Sequence, residues 1–431
     1  MDRSLRLNRF VAGALVAATL IVSACDKESL QPPTASNVSF GAQPLFTRYV
    51  AMGNSITSGI QSAGINDSLQ LLAYPVLLAS QMGLEIPTRT VSWTSEWNVP
   101  LMRGPGCPAP YTDLWTQTRL GGTASDDCAY RSTPIPTFIN NVAYAGATAL
   151  EQTTYYDPAI PPSVTDVFRT FLLGGSTPFE VVKKMQATFV TVWSGSTDID
   201  DALTDETNPG DPSLYPDVPT FTSWYTALMD SLNTLESLEG GVLIGAVNVT
   251  SAPYVSPGGA YFLASQQPPL DAFLTVLPNC LATEPIPGTA LSAPVYVPFH
   301  YGAPIMGAAS AGVPTTLDCS VDEVISAVEA RDMIVTVAGY NAAIEAAADA
   351  RGWPYWDPNV LLLALQQQDP SSIRLFPAYS PADPQHDTEP FGWALSLDGL
   401  HPSSRAHGLI ADALIIVINT AYSAGIPVIF P

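Results

Sequence analysis

Tyr49-Val50-Ala51-Met52-Gly53-Asn54-Ser55-Ile56-Thr57-Ser58-Gly59 joins an apolar, β-forming run to a tight turn. The run covers residues 46–52 and stops at Gly53, the pattern of a strand buried on both faces. Gly53 and Gly59 permit a sharp turn and close backbone approach around the serine between them. Two further continuous runs, residues 188–194 and 241–249, read the same way and end near Gly195 and beyond Gly245. Residues 69–82 carry apolar side chains at helical spacing and end at Gly83. Ser320 and Glu323 form a capping-box pattern, followed by Val324, Val328, Ile334, Val337, Tyr340 and Ile344. A last helix is expected to start near Pro402, with Ile410, Leu414, Val417 and Ala421 on one face. Strands alternating with helices predict an α/β fold, its central parallel sheet covered on both faces.

Three stretches lack clear periodicity: about 94–137, 202–220 and 252–319. Loops of that length are usually functional or locally structured insertions, and insertions after strands would rim a ligand site at the sheet's carboxyl edge. With no internal repeat and no second linker, residues 46–431 read as one α/β domain with insertions.

At the start of the chain, Arg3, Arg6 and Arg9 precede an apolar core that ends in Val22-Ser23-Ala24-Cys25. A basic flank, a core shorter than the ~20 residues of a spanning helix and small residues before a cleavage point describe a secretory signal. The last four residues resemble the lipobox of bacterial lipoproteins. That resemblance makes residues 1–24 the signal peptide and Cys25 the lipidated first residue of the mature chain. Residues 25–45 read as a flexible tether. The expected location is the cell envelope, lipid-anchored and facing the periplasm or exterior.

Four further cysteines, Cys107, Cys128, Cys280 and Cys319, suit an exported chain with disulfides. They allow three pairings. Cys107–Cys128 and Cys280–Cys319 are favoured because each brackets one Pro/Gly-rich stretch. The formal charge is −23, and loss of residues 1–24 leaves 13 basic against 38 acidic residues, or −25. Such a surface repels polyanions, so nucleic acid is excluded as a partner.

Ser55 stands where a strand delivers side chains to a ligand cleft, and a serine hydroxyl needs a base to become a nucleophile. The chain has four histidines: His300, His386, His401 and His407. His401 lies in Leu397-Asp398-Gly399-Leu400-His401-Pro402, where Asp398 can meet the imidazole across a turn and fix its tautomer. His300 and His386 have no such partner, and His407 falls on the last helix.

Four segments resemble the blocks of GDSL-type SGNH hydrolases, in family order from Tyr49 to Pro402. Tyr49-Val50-Ala51-Met52-Gly53-Asn54-Ser55-Ile56-Thr57 resembles the first, with Asn54 in place of the usual Asp. Asn141-Val142-Ala143-Tyr144-Ala145-Gly146-Ala147 resembles the second. Trp193-Ser194-Gly195-Ser196-Thr197-Asp198 aligns with the third, normally Gly-x-Asn-Asp, and Asp398-Gly399-Leu400-His401-Pro402 matches the last. The resemblance implies a flavodoxin-like three-layer α/β/α sandwich and carboxylic ester hydrolysis through an acyl-serine intermediate. Ser55 would be the nucleophile, His401 the base and Asp398 its orienting acid. The oxyanion hole would comprise the backbone N–H groups of Ser55 and Gly146 plus the side chain of Thr197.

Thr197 departs from the family's Asn, and its hydroxyl is shorter than a carboxamide. Loss of one oxyanion donor slows such reactions by ~10²–10³, so a slow enzyme is expected. The neighbouring Asp198 would repel an oxyanion unless turned away. No metal or cofactor is expected, because no histidine pair has ligand spacing on a predicted helix and no Lys follows Gly59 as a phosphate loop requires. Trp93, Trp97, Trp115 and Trp224 lie in or near the first two insertions, where ordering of their own loops is the reading preferred over a ligand platform. The expected partners are a lipid or carbohydrate ester substrate and, through the lipid anchor, a membrane. Two rivals use the same residues: an acyltransferase, and a scaffold that binds carbohydrate or lipid with little turnover.

Overall fold

The computed structural model describes residues 43–86, 96–122, 138–154, 169 and 172–430. Four parallel strands form the central sheet: β1 (Tyr49–Gly53), β2 (Phe189–Trp193), β3 (Gly240–Ile244) and β4 (Tyr355–Trp356), side by side in that order. Asn141 adds a parallel bridge on the outer edge of β1. There Ala51 N–H donates to the Asn140 carbonyl at 2.8 Å and Val142 N–H to the Ala51 carbonyl at 2.9 Å. Counting that bridge as a rudimentary second strand gives the spatial order 2-1-3-4-5 of flavodoxin-like folds.

Every residue of β1, β2 and β3 is buried, and successive side chains enter different cores because strand side chains alternate. Val50, Met52, Val190, Val192 and Leu243 pack with the helices α5 (Val218–Asn233) and α6 (Ala327–Arg351). Tyr49, Ala51, Phe189, Trp193, Val242 and Ile244 pack with α2 (Tyr74–Gln81) and α8 (Ser404–Tyr422) on the opposite face. The fold is therefore a three-layer α/β/α sandwich. The remaining helices of the frame are α1 (Ser55–Ser58), α3 (Pro178–Met185), α4 (Thr197–Thr204) and α7 (Pro358–Gln368).

Several element boundaries differ from the sequence expectation. The helix expected over 69–82 is two, Asp67–Gln70 and α2. Pro75 explains the break: it has no N–H, and its ring would clash with the carbonyl of Leu71 in a continuous helix. The capping box of α6 is Ser326 with Glu329, not Ser320 with Glu323: Ser326 N–H donates to Glu329 Oε2 at 2.7 Å and Glu329 N–H to Ser326 Oγ at 3.3 Å. Ile325 is paired with Tyr296 through two 3.0 Å backbone bonds, so a helix cannot run through it. The Ser320 hydroxyl is also engaged, donating to Asp318. Val328 accordingly points to solvent, and Ala330 and Met333 share the buried face with Val337, Tyr340 and Ile344. The last helix begins at Ser404 behind the cap Ser403, and its core face is Ile410, Leu414, Ile415 and Ile418, with Val417 half-buried and Ala421 exposed.

The stretch 252–319 is a structured insertion. Short strand pairs and the helices Gly258–Ala264 and Phe299–Ser310 surround an apolar cluster of its own, including Tyr261, Val297, Met306 and Leu317. The expected Cys280–Cys319 disulfide lies in that cluster. Cys107 is likewise disulfide-bonded; Cys128, its expected partner, lies outside the described residues, as do Cys25 and Trp93. The stretch 202–220 holds the end of α4, the short turn Pro212–Leu214 and the start of α5. Within 94–137, the described part carries the strand pair Tyr111–Asp113 and Thr118–Arg119. No helix of the described residues is long and apolar enough to cross a membrane.

Candidate active site

Gly53 ends β1 with φ +157°, and an added Cβ would sit 2.3 Å from Thr57 Oγ1 and 2.8 Å from the Trp193 carbonyl. Only glycine lets β1 turn here without displacing its neighbour strand. Asn54 follows, buried, and its Oδ1 caps the next turn by accepting from Ile56 N–H at 3.3 Å. A carboxamide does this as well as a carboxylate, so the cap does not require an Asp at this position. Ser55 is then the first residue of α1 and is half-buried.

His401 and Asp398 meet as their spacing predicts. His401 Nδ1 lies 2.8 Å from Asp398 Oδ2. Asp398 Oδ1 accepts from Leu400 N–H at 2.9 Å, His401 N–H at 2.8 Å and Ser396 Oγ at 3.1 Å. Oδ2 also accepts from Ala63 N–H at 2.6 Å. Burial alone would raise this carboxyl, but the charge of His401 and these hydrogen bonds outweigh it and hold Asp398 at about 2. An ionised carboxylate only accepts, so Nδ1 carries the proton and Nε2 is the free face of a neutral ring. Burial pushes His401 down, yet the charge and hydrogen bond of Asp398, with Asp200 adding its charge, leave it raised above 6.5.

The chain just after α1 ties the serine turn to this pair. Ser62 and Ala63 both adopt left-handed backbone, φ +55° and +51°, a conformation non-glycine residues rarely take. That geometry aims Ser62 N–H at Ser396 Oγ, 2.7 Å away, and Ala63 N–H at Asp398. Leu397 N–H returns a bond to Ser62 Oγ at 3.2 Å, and Ser404 Oγ donates to Gln61 Oε1 at 2.9 Å. Ser55, Asp398 and His401 therefore share one end of the sheet. Among the described residues no hydrogen bond links the Ser55 hydroxyl to His401.

The second and third sequence blocks reach the same end. Asn141 Nδ2 donates to the Thr57 carbonyl at 2.8 Å, and Gln152 Nε2 donates to the Gly53 carbonyl at 3.4 Å. Gly146 lies between these anchors with φ +78°. Thr197 opens α4 directly after β2, buried, and its hydroxyl has no hydrogen-bond partner among the described residues. The backbone N–H groups of Ser55, Gly146 and Thr197 likewise donate to none of the described residues. Asp198 is turned inward, both oxygens accepting from Ala149 N–H at 3.0–3.1 Å. Burial pushes it up to about 7, against the lowering effect of that N–H.

Two contributors were not visible in the sequence reading. Asp200, one turn into α4, is pushed up to about 6 by burial, and its charge acts on both His401 and Asp398. Nothing distinguishes it from the other acids of Thr197–Thr204. The left-handed pair Ser62-Ala63 is equally silent, since the glycine that would announce such a turn is one residue later, at Gly64.

The other histidines are engaged elsewhere. His407 is buried in α8, accepts from Tyr74 N–H at 3.2 Å and is lowered to about 3 by burial and then by His401. His386, expected to lack a carboxylate partner, pairs with the adjacent Asp387 at 2.6 Å and stacks on Trp115, and His300 meets Tyr254 Oη at 3.1 Å. Trp97 is buried against Tyr49 and donates to its carbonyl, and Trp115 donates to the His386 carbonyl. Both order their own loops, whereas Trp224 is half-buried against the α5–α6 core. Among the described residues, no group of three or more His, Cys, Asp or Glu side chains is placed to hold a metal ion.

Fold and site together define a three-layer α/β protein with a serine turn, an Asp–His pair and, at the carboxyl end of its sheet, backbone N–H groups unpaired among the described residues. Comparison with family models and with curated proteins finds no match. Among solved structures, the chain is similar to a catalytic mutant of Axe2, an acetylxylan esterase from Geobacillus stearothermophilus. Identity is 12%, the TM-score is 0.36, and the match covers 86% of this chain and 93% of that one. It is also similar to LAE5, an alpha/beta hydrolase enzyme from the metagenome of Lake Arreo, Spain, at 12% identity and TM-score 0.33, covering 87% and 94%.

Proposed function

We propose that this chain is an exported carboxylic ester hydrolase that works through an acyl-serine intermediate on Ser55. The observation that carries the reading is the 2.8 Å bond from His401 Nδ1 to Asp398, which frees Nε2 as a base at the end of the sheet where Ser55 begins α1. In this mechanism Ser55 Oγ bonds to the ester carbonyl carbon while its proton passes to His401 Nε2. The tetrahedral intermediate collapses, the carbon–alkoxide bond breaks, and His401 returns the proton to the leaving alcohol. Water then repeats the sequence on the acyl-serine, releasing the acid and restoring Ser55. The oxyanion accepts from the N–H groups of Ser55 and Gly146 and from Thr197, whose hydroxyl replaces the family's carboxamide; one such donor is commonly worth ~3–4 kcal/mol. The Ser–His hydrogen bond missing here is of the kind that tightens only when substrate binds.

One observation favours a second reading, a scaffold that binds without turnover: the Ser55 hydroxyl is not bonded to His401. Hydrolysis of p-nitrophenyl esters from acetate to octanoate separates the two. The wild type should turn over at least part of the series, and Ser55→Ala should lose that activity by ~10³-fold or more. Absence of serine-dependent turnover at every chain length supports the binder. The envelope location and lipid anchor at Cys25 belong to the same proposal, and the Cys280–Cys319 disulfide supports an oxidising compartment.

A further inference from the structure

Beside the serine turn lies an apolar cleft that is partly open to solvent. Ile56, the residue after Ser55, forms part of its wall, and Leu400 and Pro402, which bracket His401, form another. α7 contributes Leu361, Leu362 and Leu365, and Trp193, Trp356 and Ile410 are among the residues that complete it. Ser55 and His401 do not themselves line the cleft, but their chain neighbours do, so it adjoins the proposed nucleophile and base and lies between α7 and α8.

We infer that this cleft takes the acyl chain of the substrate, and that the preferred substrates are esters of medium-length or longer aliphatic acids, not acetyl esters. The inference rests on the hydrolase reading above and adds the substrate class. Among the described residues, Ser251 supplies the only hydroxyl in the lining. A sugar placed there would leave its hydroxyl groups unpaired, at a cost that an alkyl chain does not incur. An acetyl group, with a single methyl, would bury little of this apolar lining. On its outer side α7 also exposes Val360 and Leu363, 56% and 54% accessible. The helix that lines the cleft thus also carries exposed apolar side chains, suited to substrates that reside in lipid.

Burial of each added methylene is worth about a fourfold gain in kcat/KM. The p-nitrophenyl series should therefore climb about fourfold per methylene from acetate until the cleft is filled, then level off. Leu362→Trp, which narrows the cleft, should lower the octanoate-to-acetate ratio of kcat/KM at least tenfold. Leu362→Ala, which widens it, should move the optimum to longer chains and serves if the tryptophan variant fails to fold. Equal or greater kcat/KM for acetate in the wild type overturns the acyl cleft and leaves the hydrolase standing. An octanoate-to-acetate ratio unchanged in both variants also overturns the cleft. No serine-dependent turnover of any ester overturns the hydrolase reading and the cleft with it.

Discussion

The imidazole of His401 is acted on by two carboxylates, Asp398 bonded to its Nδ1 and Asp200 from the first turn of α4. Both favour the protonated ring and leave it raised above 6.5 despite its burial. A base must be neutral to take the Ser55 proton, so the proposed turnover should rise with pH through a midpoint above 6.5. Asp200, pushed up to about 6, is ionised across that range. Removing its charge makes the imidazolium less favourable, so Asp200→Asn should move the midpoint of the kcat/KM profile to lower pH. The wild-type plateau should then be reached earlier in the titration. An unmoved midpoint would mean that Asp200 does not reach the base. The same sign governs stability. A histidine raised in the folded state contributes most below its unfolded value and loses that contribution as pH rises through the folded one.

At the scale of elements, the insertion 252–319 has few long secondary structures and depends on its small apolar cluster and one covalent link. Cys280 and Cys319 are 39 residues apart, and closing a loop of that length restricts the unfolded chain. Removal of such a link costs roughly 2–4 kcal/mol. The double variant Cys280→Ser with Cys319→Ser should lose about that much in denaturant-induced unfolding. A midpoint equal to that of the wild type would show that the cluster holds the insertion without the disulfide. The central elements need no such device. The fully buried β1, β2 and β3 are held by their neighbours and by helices on both faces.

Over the whole molecule, what was legible in the sequence is what short-range chemistry decides. The three long strands were located because a strand buried on both sides is apolar throughout, although the runs overshot β1 at its start (46–48) and β3 at its end (245–249). Asp398 meets His401 because a Gly399 turn brings residues three apart together. The start of α6 was misread because Ser320/Glu323 and Ser326/Glu329 are equally good capping boxes, and a contact between distant segments, Ile325 with Tyr296, chooses between them. Ser62-Ala63, Asp200 and the leucines of α7 were invisible for the same reason. Their roles exist only once the sheet places the chain after β1, the start of α4 and the region between α7 and α8 at one edge. The reactivity of Ser55 is where these scales meet, and an alkyl fluorophosphonate tests it directly. Attack by an activated Ser55 Oγ displaces fluoride and leaves a phosphonyl group on that oxygen. Intact-mass measurement should find one adduct per wild-type chain, mapping to the peptide that contains Ser55, and none on Ser55→Ala. A wild-type chain that stays unmodified, or an adduct that forms equally on Ser55→Ala, would contradict Ser55 as the nucleophile.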